Sequence, residues 1–244
     1  MISPPALIER GRAHLARVIC EQVSCGTLST KSLDKGIYDL AKDLLWKLQH
    51  AKCCFCERSY ERAFSSVEHF RPKAKAHRCD VEVLGYWWLA YELENLWFCC
   101  MNCNTSKGTQ FPLEPGSAPL TPCKRPSPLN ERPLLLDPAH DDPSQHISFK
   151  MVGQRIVPQP LAGSTRGEVT IRTLKLDRDD LSEFRYKHYS ERIRPVIERH
   201  RDAVKRQDGP AIVAAVLDAK TLVDPSSEFS LTARVFLKQA NVPF

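Results

Sequence analysis

Residues 53–73 read CCFCERSYERAFSSVEHFRPK, and residues 94–108 read ENLWFCCMNCNTSKG. The first stretch holds Cys53-x-x-Cys56 and the second Cys100-x-x-Cys103, with 43 residues between the pairs. A Cys-x-x-Cys turn points both sulfurs to one side, so two such knuckles can supply four thiolates to one tetrahedral zinc. The interval is longer than in a compact finger, so something folds between the knuckles. Each knuckle borders a spare cysteine, Cys54 and Cys99, and the x-x spacing selects Cys53, Cys56, Cys100 and Cys103. The plain alternative is a set of buried thiols. With four sulfurs on the ion no position remains for water, which makes this zinc structural.

The residues between and beside the knuckles match the needs of phosphodiester hydrolysis. That reaction wants a base for the attacking water. It also wants a divalent cation at the developing charge and cationic or amide groups on the phosphate. Histidine titrates near neutrality and suits the first task. Magnesium prefers oxygen ligands such as Glu and Asn side chains. Glu68, His69, Asn95 and Asn104 are residues of these types. Adjacent side chains on a strand point to opposite faces, so Glu68 and His69 need a strand end or bend to serve one phosphate. Arg71 and Pro72 are consistent with such an end. Asn104 follows the ligand Cys103, Lys107 comes one helical turn later, and Arg71, Lys73 and Lys75 form a small basic cluster.

Three strings extend this pattern: VEHFRPK (67–73), YWWLAYELENL (86–96) and CNTSKGTQFPL (103–113), followed by LLLDP (134–138). EHF (68–70), Asn95-Leu96 and CMNCNTSKG (100–108) resemble the HNH endonuclease motif in its zinc-stabilised ββα-metal form. The wider strings resemble the PtuB-like HNH nucleases, effectors of the Septu antiphage defence system and of some retrons. The resemblance is strong over residues 51–143 and loose elsewhere. It implies His69 as general base, Glu68 and Asn104 as ligands of one catalytic Mg2+ or Mn2+, and Asn95 as a brace for the catalytic loop. By their charge and position Arg71, Lys73 and Lys107 are the expected substrate contacts. The resemblance also implies an ABC-type ATPase partner, PtuA. The third motif position here is Asn104 rather than His, which suggests a single-metal site. The fold class expected is α+β, a zinc-stapled ββα-metal core embedded in a mainly helical body.

Working outward, residues 4–24 and 34–49 carry helical apolar stripes, including Leu7, Leu15, Val18 and Ile19, then Ile37, Leu40, Leu44 and Leu48. Trp46 lies off the second stripe and is placed to reach a neighbouring surface. GYWWLAYELE (85–94) reads as a short helix whose Trp87, Trp88 and Tyr91 are packing residues. Nine of the 18 prolines fall between Pro112 and Pro143, an irregular connector anchored by Leu134–Leu136. Residues 146–157 alternate around a Gly-Gln turn and predict a hairpin. Helices are predicted over 163–176, 179–206, 211–222 and 227–239. The third helix before the C-terminus is basic, with Arg185 and Arg199 among its cations, and is divided at Pro195. Its interleaved acids read as a solvated face rather than a polyanion surface. Asp137, His140, Asp141, Asp142 and His146 read as Asp-Pro turn chemistry rather than a second metal group. The domains expected are 1–50 (helical scaffold), 51–111 (nuclease core), 112–160 (connector and hairpin) and 161–244 (helical).

The net charge of +6 is compatible with a polyanionic partner without requiring one. No apolar run is long enough to span a bilayer. The first residues lack a signal-peptide core, which makes the cytoplasm the default location. Ten cysteines in such a chain favour metal ligation or reduced thiols over a disulfide framework. The leading expectation is therefore a nuclease acting on nucleic acid, DNA first. The alternatives are a ribonuclease on structured RNA such as tRNA, and a non-catalytic zinc module for nucleic-acid or partner binding.

Overall fold

The computed structural model describes residues 4–78, 81–122 and 131–244. Residues 123–130 of the expected connector and the side chains of Pro4, Pro5, Val18 and Thr30 lie outside that description. The described chain mixes helices with three two-stranded antiparallel sheets, an α+β arrangement. It divides into two units, residues 1–55 with 60–141, and residues 56–59 with 142–244.

The first unit opens with α1 (Pro4–His14), a π-helical turn over 15–19, and α2 (Cys20–Ser24). Gly11 is required on α1, because a Cβ there would lie 2.3 Å from Cβ of Tyr91. The segment 34–49 is less regular than its stripe predicts: α3 (Lys35–Tyr38), a 3-10 turn, then α4 (Lys42–Leu48). Asp34 caps α3 by accepting from the Gly36 amide at 2.8 Å. Trp46 packs against the core and donates from Nε1 to the Tyr60 carbonyl at 3.0 Å.

Next come β1 (Ser65–His69), the hairpin β2 (Lys75–Arg78) with β3 (Val81–Leu84), then β4 (Leu96–Cys100) and α5 (Met101–Lys107). β1 and β4 pair antiparallel, from Ser65 opposite Cys100 to His69 opposite Leu96. Val67 and Phe98 face each other across this ribbon and are both buried, each worth about 1.5–3 kcal/mol of apolar burial. With Leu7, Ile19, Leu45, Tyr91 and Leu96 they belong to one core cluster. The helix expected over 85–94 is absent. Two 3-10 turns, 87–89 and 93–95, take its place. Gly85 donates to the Ala74 carbonyl and Tyr86 to that of Pro72, tying the segment's start to the chain after β1. Those tertiary bonds override local helix propensity.

The second unit contains β5 (Ile147–Val152) and β6 (Arg155–Pro160), a hairpin turning at Gly153 with φ +58°. The helices α6 (Thr165–Leu174), α7 (Asp179–His188), α8 (Arg194–Arg206), α9 (Gly209–Val223) and α10 (Ser230–Gln239) follow. Pro195 does not divide the basic segment as expected. A π-helical turn over 189–193 joins α7 to α8, and Pro195 sits in the first turn of α8, where a missing N–H costs little. Arg185, counted with the basic residues, is buried and donates to the Leu176 carbonyl at 2.7 Å. Among the described residues, no helix is long and apolar enough to cross a membrane.

Candidate metal centre and acid–histidine site

The sulfurs of Cys53, Cys56, Cys100 and Cys103 lie within 4.8 Å of one another, and all four residues are buried. This is the set that the x-x spacing selects, and it can hold a metal such as zinc. The second knuckle forms because Cys100 is the N-cap of α5, its sulfur accepting from the Cys103 amide at 3.4 Å. Cys54 is held beside the ribbon by its amide, which donates to the Phe98 carbonyl at 3.1 Å. No disulfide joins any described cysteine.

Strand alternation places Glu68 and His69 on opposite faces of β1, at its last two positions, and the chain bends directly afterwards at 70–71. On one face, Asn104 and Lys107 of α5 reach β1 one turn apart. The Asn104 amide nitrogen donates to Ser66 Oγ. Lys107 Nζ donates to Glu68 Oε1 at 2.6 Å and to the His69 carbonyl at 2.9 Å. The lysine is fully buried and Glu68 is only 5% exposed. Burial pushes the Glu68 carboxyl pKa up, even against the opposing pull of Lys107.

On the other face, His69 Nε2 lies 2.9 Å from the Ala90 carbonyl oxygen, and its ring meets the Tyr38 ring edge-on at 4.9 Å. A carbonyl only accepts, so Nε2 carries the proton and Nδ1 the lone pair. Burial drives the imidazole pKa well below its ordinary value, with Lys73 adding to the effect, so the ring is neutral near pH 7. Lys73 donates to the Tyr38 hydroxyl at 3.0 Å and lies 4.2 Å from the centre of that ring. Its ammonium acts on both Glu68 and His69. Burial outweighs the Glu68 charge and lowers its own pKa to about 8.

Asn95 clamps the chain after β1. Its Oδ1 accepts from the Arg71 amide at 2.7 Å, and its Nδ2 donates to the carbonyls of Arg71 (3.0 Å) and Leu89 (3.2 Å). The side chain of Arg71 turns to the buried Glu131, Nε to Oε2 at 2.6 Å. Glu131 also accepts from the Tyr86 hydroxyl at 2.6 Å and the Leu120 amide at 3.1 Å. Asp137, Asp141 and Asp142 accept from nearby backbone amides, and Asp137 also meets His140 at 3.2 Å. His146 pairs with Ser164 at 2.8 Å. This is turn and cap chemistry.

Sequence reasoning did not single out Tyr38, the Ala90 carbonyl or Glu131. The first two act through tertiary proximity, which no spacing encodes. Glu131 lies in a proline-rich stretch with no periodicity to mark it.

No family model matches the chain, and no solved structure matches it. The chain is 38% identical to the Septu protein PtuB of Bacillus mycoides (strain KBAB4) over 152 residues, 60% of the chain and 50% of that protein. It is 30% identical to the Septu protein PtuA of the same strain over 145 residues, 58% of the chain and 20% of that protein. The chain thus spans about half the length of its PtuB relative and a fifth of its PtuA relative.

Proposed function

We propose that this PtuB-like chain is a metal-dependent HNH endonuclease that hydrolyses phosphodiester bonds of nucleic acid, DNA first, as the effector of an antiphage defence complex. The observation that carries the reading is the junction of β1, β4 and α5. A buried acid and a neutral, tautomer-locked histidine end one strand, an asparagine clamps the following loop, and the helix after β4 returns an asparagine and a lysine to the strand. This order supports an HNH-type ββα-metal core.

In this reading His69 Nδ1 takes the proton from the attacking water, while the Nε2–H bond to Ala90 holds the ring in place. Asn95 keeps the loop after His69 in register. The donor set fits a hard divalent cation: Glu68 offers carboxylate oxygen, and the Asn104 amide nitrogen is taken by Ser66, which leaves its carbonyl oxygen for a metal. Bound there by Glu68 and Asn104, Mg2+ or Mn2+ would stabilise the developing phosphorane charge. In the same reading Lys73, whose charge is felt by both Glu68 and His69, meets the scissile phosphate. Arg71 and Lys107 contribute through Glu131 and Glu68, with any phosphate contact secondary to those pairs.

The partner proposed is a PtuA-like ATPase. The reading rests on similarity to a protein named for the same system as PtuA, and it extends to a cytoplasmic complex. The test is cleavage of supercoiled DNA, single-stranded DNA and bulk tRNA by zinc-loaded protein, with magnesium or chelator, alone and with the ATPase. Magnesium-dependent cleavage of DNA, lost in His69→Ala, is expected. Cleavage of tRNA alone would move the reading to a ribonuclease. Binding without cleavage, with or without the ATPase, would leave only a zinc module.

A further inference from the structure

Each zinc knuckle brings a cysteine that the quartet does not use, Cys54 beside Cys53 and Cys99 beside Cys100. The fold gathers both spares around one quartet member. The sulfurs of Cys53, Cys54 and Cys99 lie within 4.8 Å of one another, and Cys53 Sγ is 3.7 Å from Cys99 Sγ. With zinc–sulfur bonds of about 2.3 Å, the edge of a tetrahedral thiolate site is about 3.8 Å. That edge is already present without any rearrangement. Cys53 and Cys99 are 1% and 0% exposed, and Cys54 is half-buried.

We propose that Cys53, Cys54 and Cys99 form a second site for a thiophilic divalent cation, sharing the Cys53 sulfur with the structural quartet. The result is a two-metal, six-thiolate cluster. Charge favours it. Four thiolates on one Zn2+ leave two surplus negative charges in a buried place, a costly arrangement. A second divalent ion brings two positive charges and recruits two new thiolates, Cys54 and Cys99, so the buried net charge does not grow. With zinc in the quartet Cys53 is a thiolate, and its remaining lone pairs can bridge. Binding therefore releases only the two thiol protons of Cys54 and Cys99. Soft sulfur donors select Zn2+ or Cd2+ over Mg2+ or Ca2+. Three sulfurs leave a fourth position for water, on the side of the half-buried Cys54. The competing account is two buried thiols packed beside a single zinc, since thiols are among the most buried side chains. Stoichiometry separates the two accounts, and neither depends on the nuclease reading.

The test uses the full chain with Cys20, Cys25, Cys79 and Cys123 replaced by serine, which leaves the six clustered cysteines of the ten. The reduced protein is loaded with Zn2+ or Cd2+ and passed over a weak chelating resin. Metal per chain is then measured by elemental analysis and by cadmium NMR. Two ions per chain and two cadmium resonances are expected. Cys54→Ser/Cys99→Ser should hold one ion and one resonance, with an unchanged circular dichroism spectrum. Cys54→Ala/Cys99→Ala serves if the serine pair fails to fold. A single ion in the six-cysteine protein under excess Cd2+ overturns the proposal, as does retention of two ions by the double variant.

Discussion

At the residue scale, His69 and Lys107 make opposite predictions. His69 contributes a neutral imidazole whose bonds to its surroundings are few, so His69→Ala should abolish cleavage while zinc content and the circular dichroism spectrum stay unchanged. Cleavage at the parent rate would remove it from the mechanism. Lys107 is different, because its ammonium is the buried partner of Glu68. Lys107→Met strands a buried carboxylate and is expected to cost about 3–5 kcal/mol in urea unfolding. Glu68→Gln/Lys107→Met removes both charges and should recover much of that loss. If the double variant is no more stable than Lys107→Met, the pair is not what the lysine stabilises.

The same residues set a pH profile. His69 must be neutral to act as base. Its pKa is lowered by burial and Lys73, so the acid limb of kcat/KM should lie below the ordinary histidine value of 6.5. Lys73, with a pKa brought down to about 8 by burial, is charged below that pH and loses its charge above it. If its charge holds the phosphate, activity should fall through an alkaline limb near pH 8. In Lys73→Arg the cation persists and that limb should vanish. An alkaline limb unmoved in Lys73→Arg would assign it to another group.

At the element scale, the critical unit is the β1–β4 ribbon with α5 against it. The strand's alternation sends Glu68 and His69 to opposite faces, and the bend after His69 must hold both near one point. Asn95 does this with three hydrogen bonds to the Arg71 and Leu89 backbone. Asn95→Ala should cost roughly 1–3 kcal/mol, since a buried donor and acceptors lose their partner. It should also speed hydrogen exchange at the Arg71 amide and lower kcat more than it changes KM. Normal exchange at Arg71 in the variant would show that the loop is held otherwise. This much of the ribbon was legible in the sequence: Glu68 and His69 sit at a strand end, with Arg71 and Pro72 directly after it. The segment 85–94 was not, because its helix-like pattern is overridden by backbone bonds to Ala74 and Pro72. Pro195 misled for a related reason, since a π-helical turn absorbs it without a break.

At the scale of the whole molecule, the chain divides into two compact units, and the cysteine cluster draws on the stretch from Cys53 to Cys103. Removing zinc with a strong chelator should therefore act unevenly. Amide protection should collapse over residues 53–107, where the knuckles hold β4 and the start of α5, and persist over α6 to α10. Uniform loss across both regions would mean that the metal supports the entire chain. Structural zinc can supply a large share of a small unit's folding free energy, so a steep, zinc-dependent melting transition is expected for the first unit.

By itself the sequence determined which four cysteines come together and that an acid and a histidine end one strand, because covalent spacing and side-chain chemistry are local properties. Two Cys-x-x-Cys turns gather sulfur wherever they meet, and an acid next to a histidine at a strand end stays at that end. Only the tertiary structure decided what surrounds them. It gave His69 its tautomer through the Ala90 carbonyl, buried Lys107 against Glu68, turned Arg71 to Glu131, and brought Cys54 and Cys99 to the same sulfur. Those outcomes depend on contacts between residues far apart in the chain, and no period or spacing along one segment carries information about the segment packed against it.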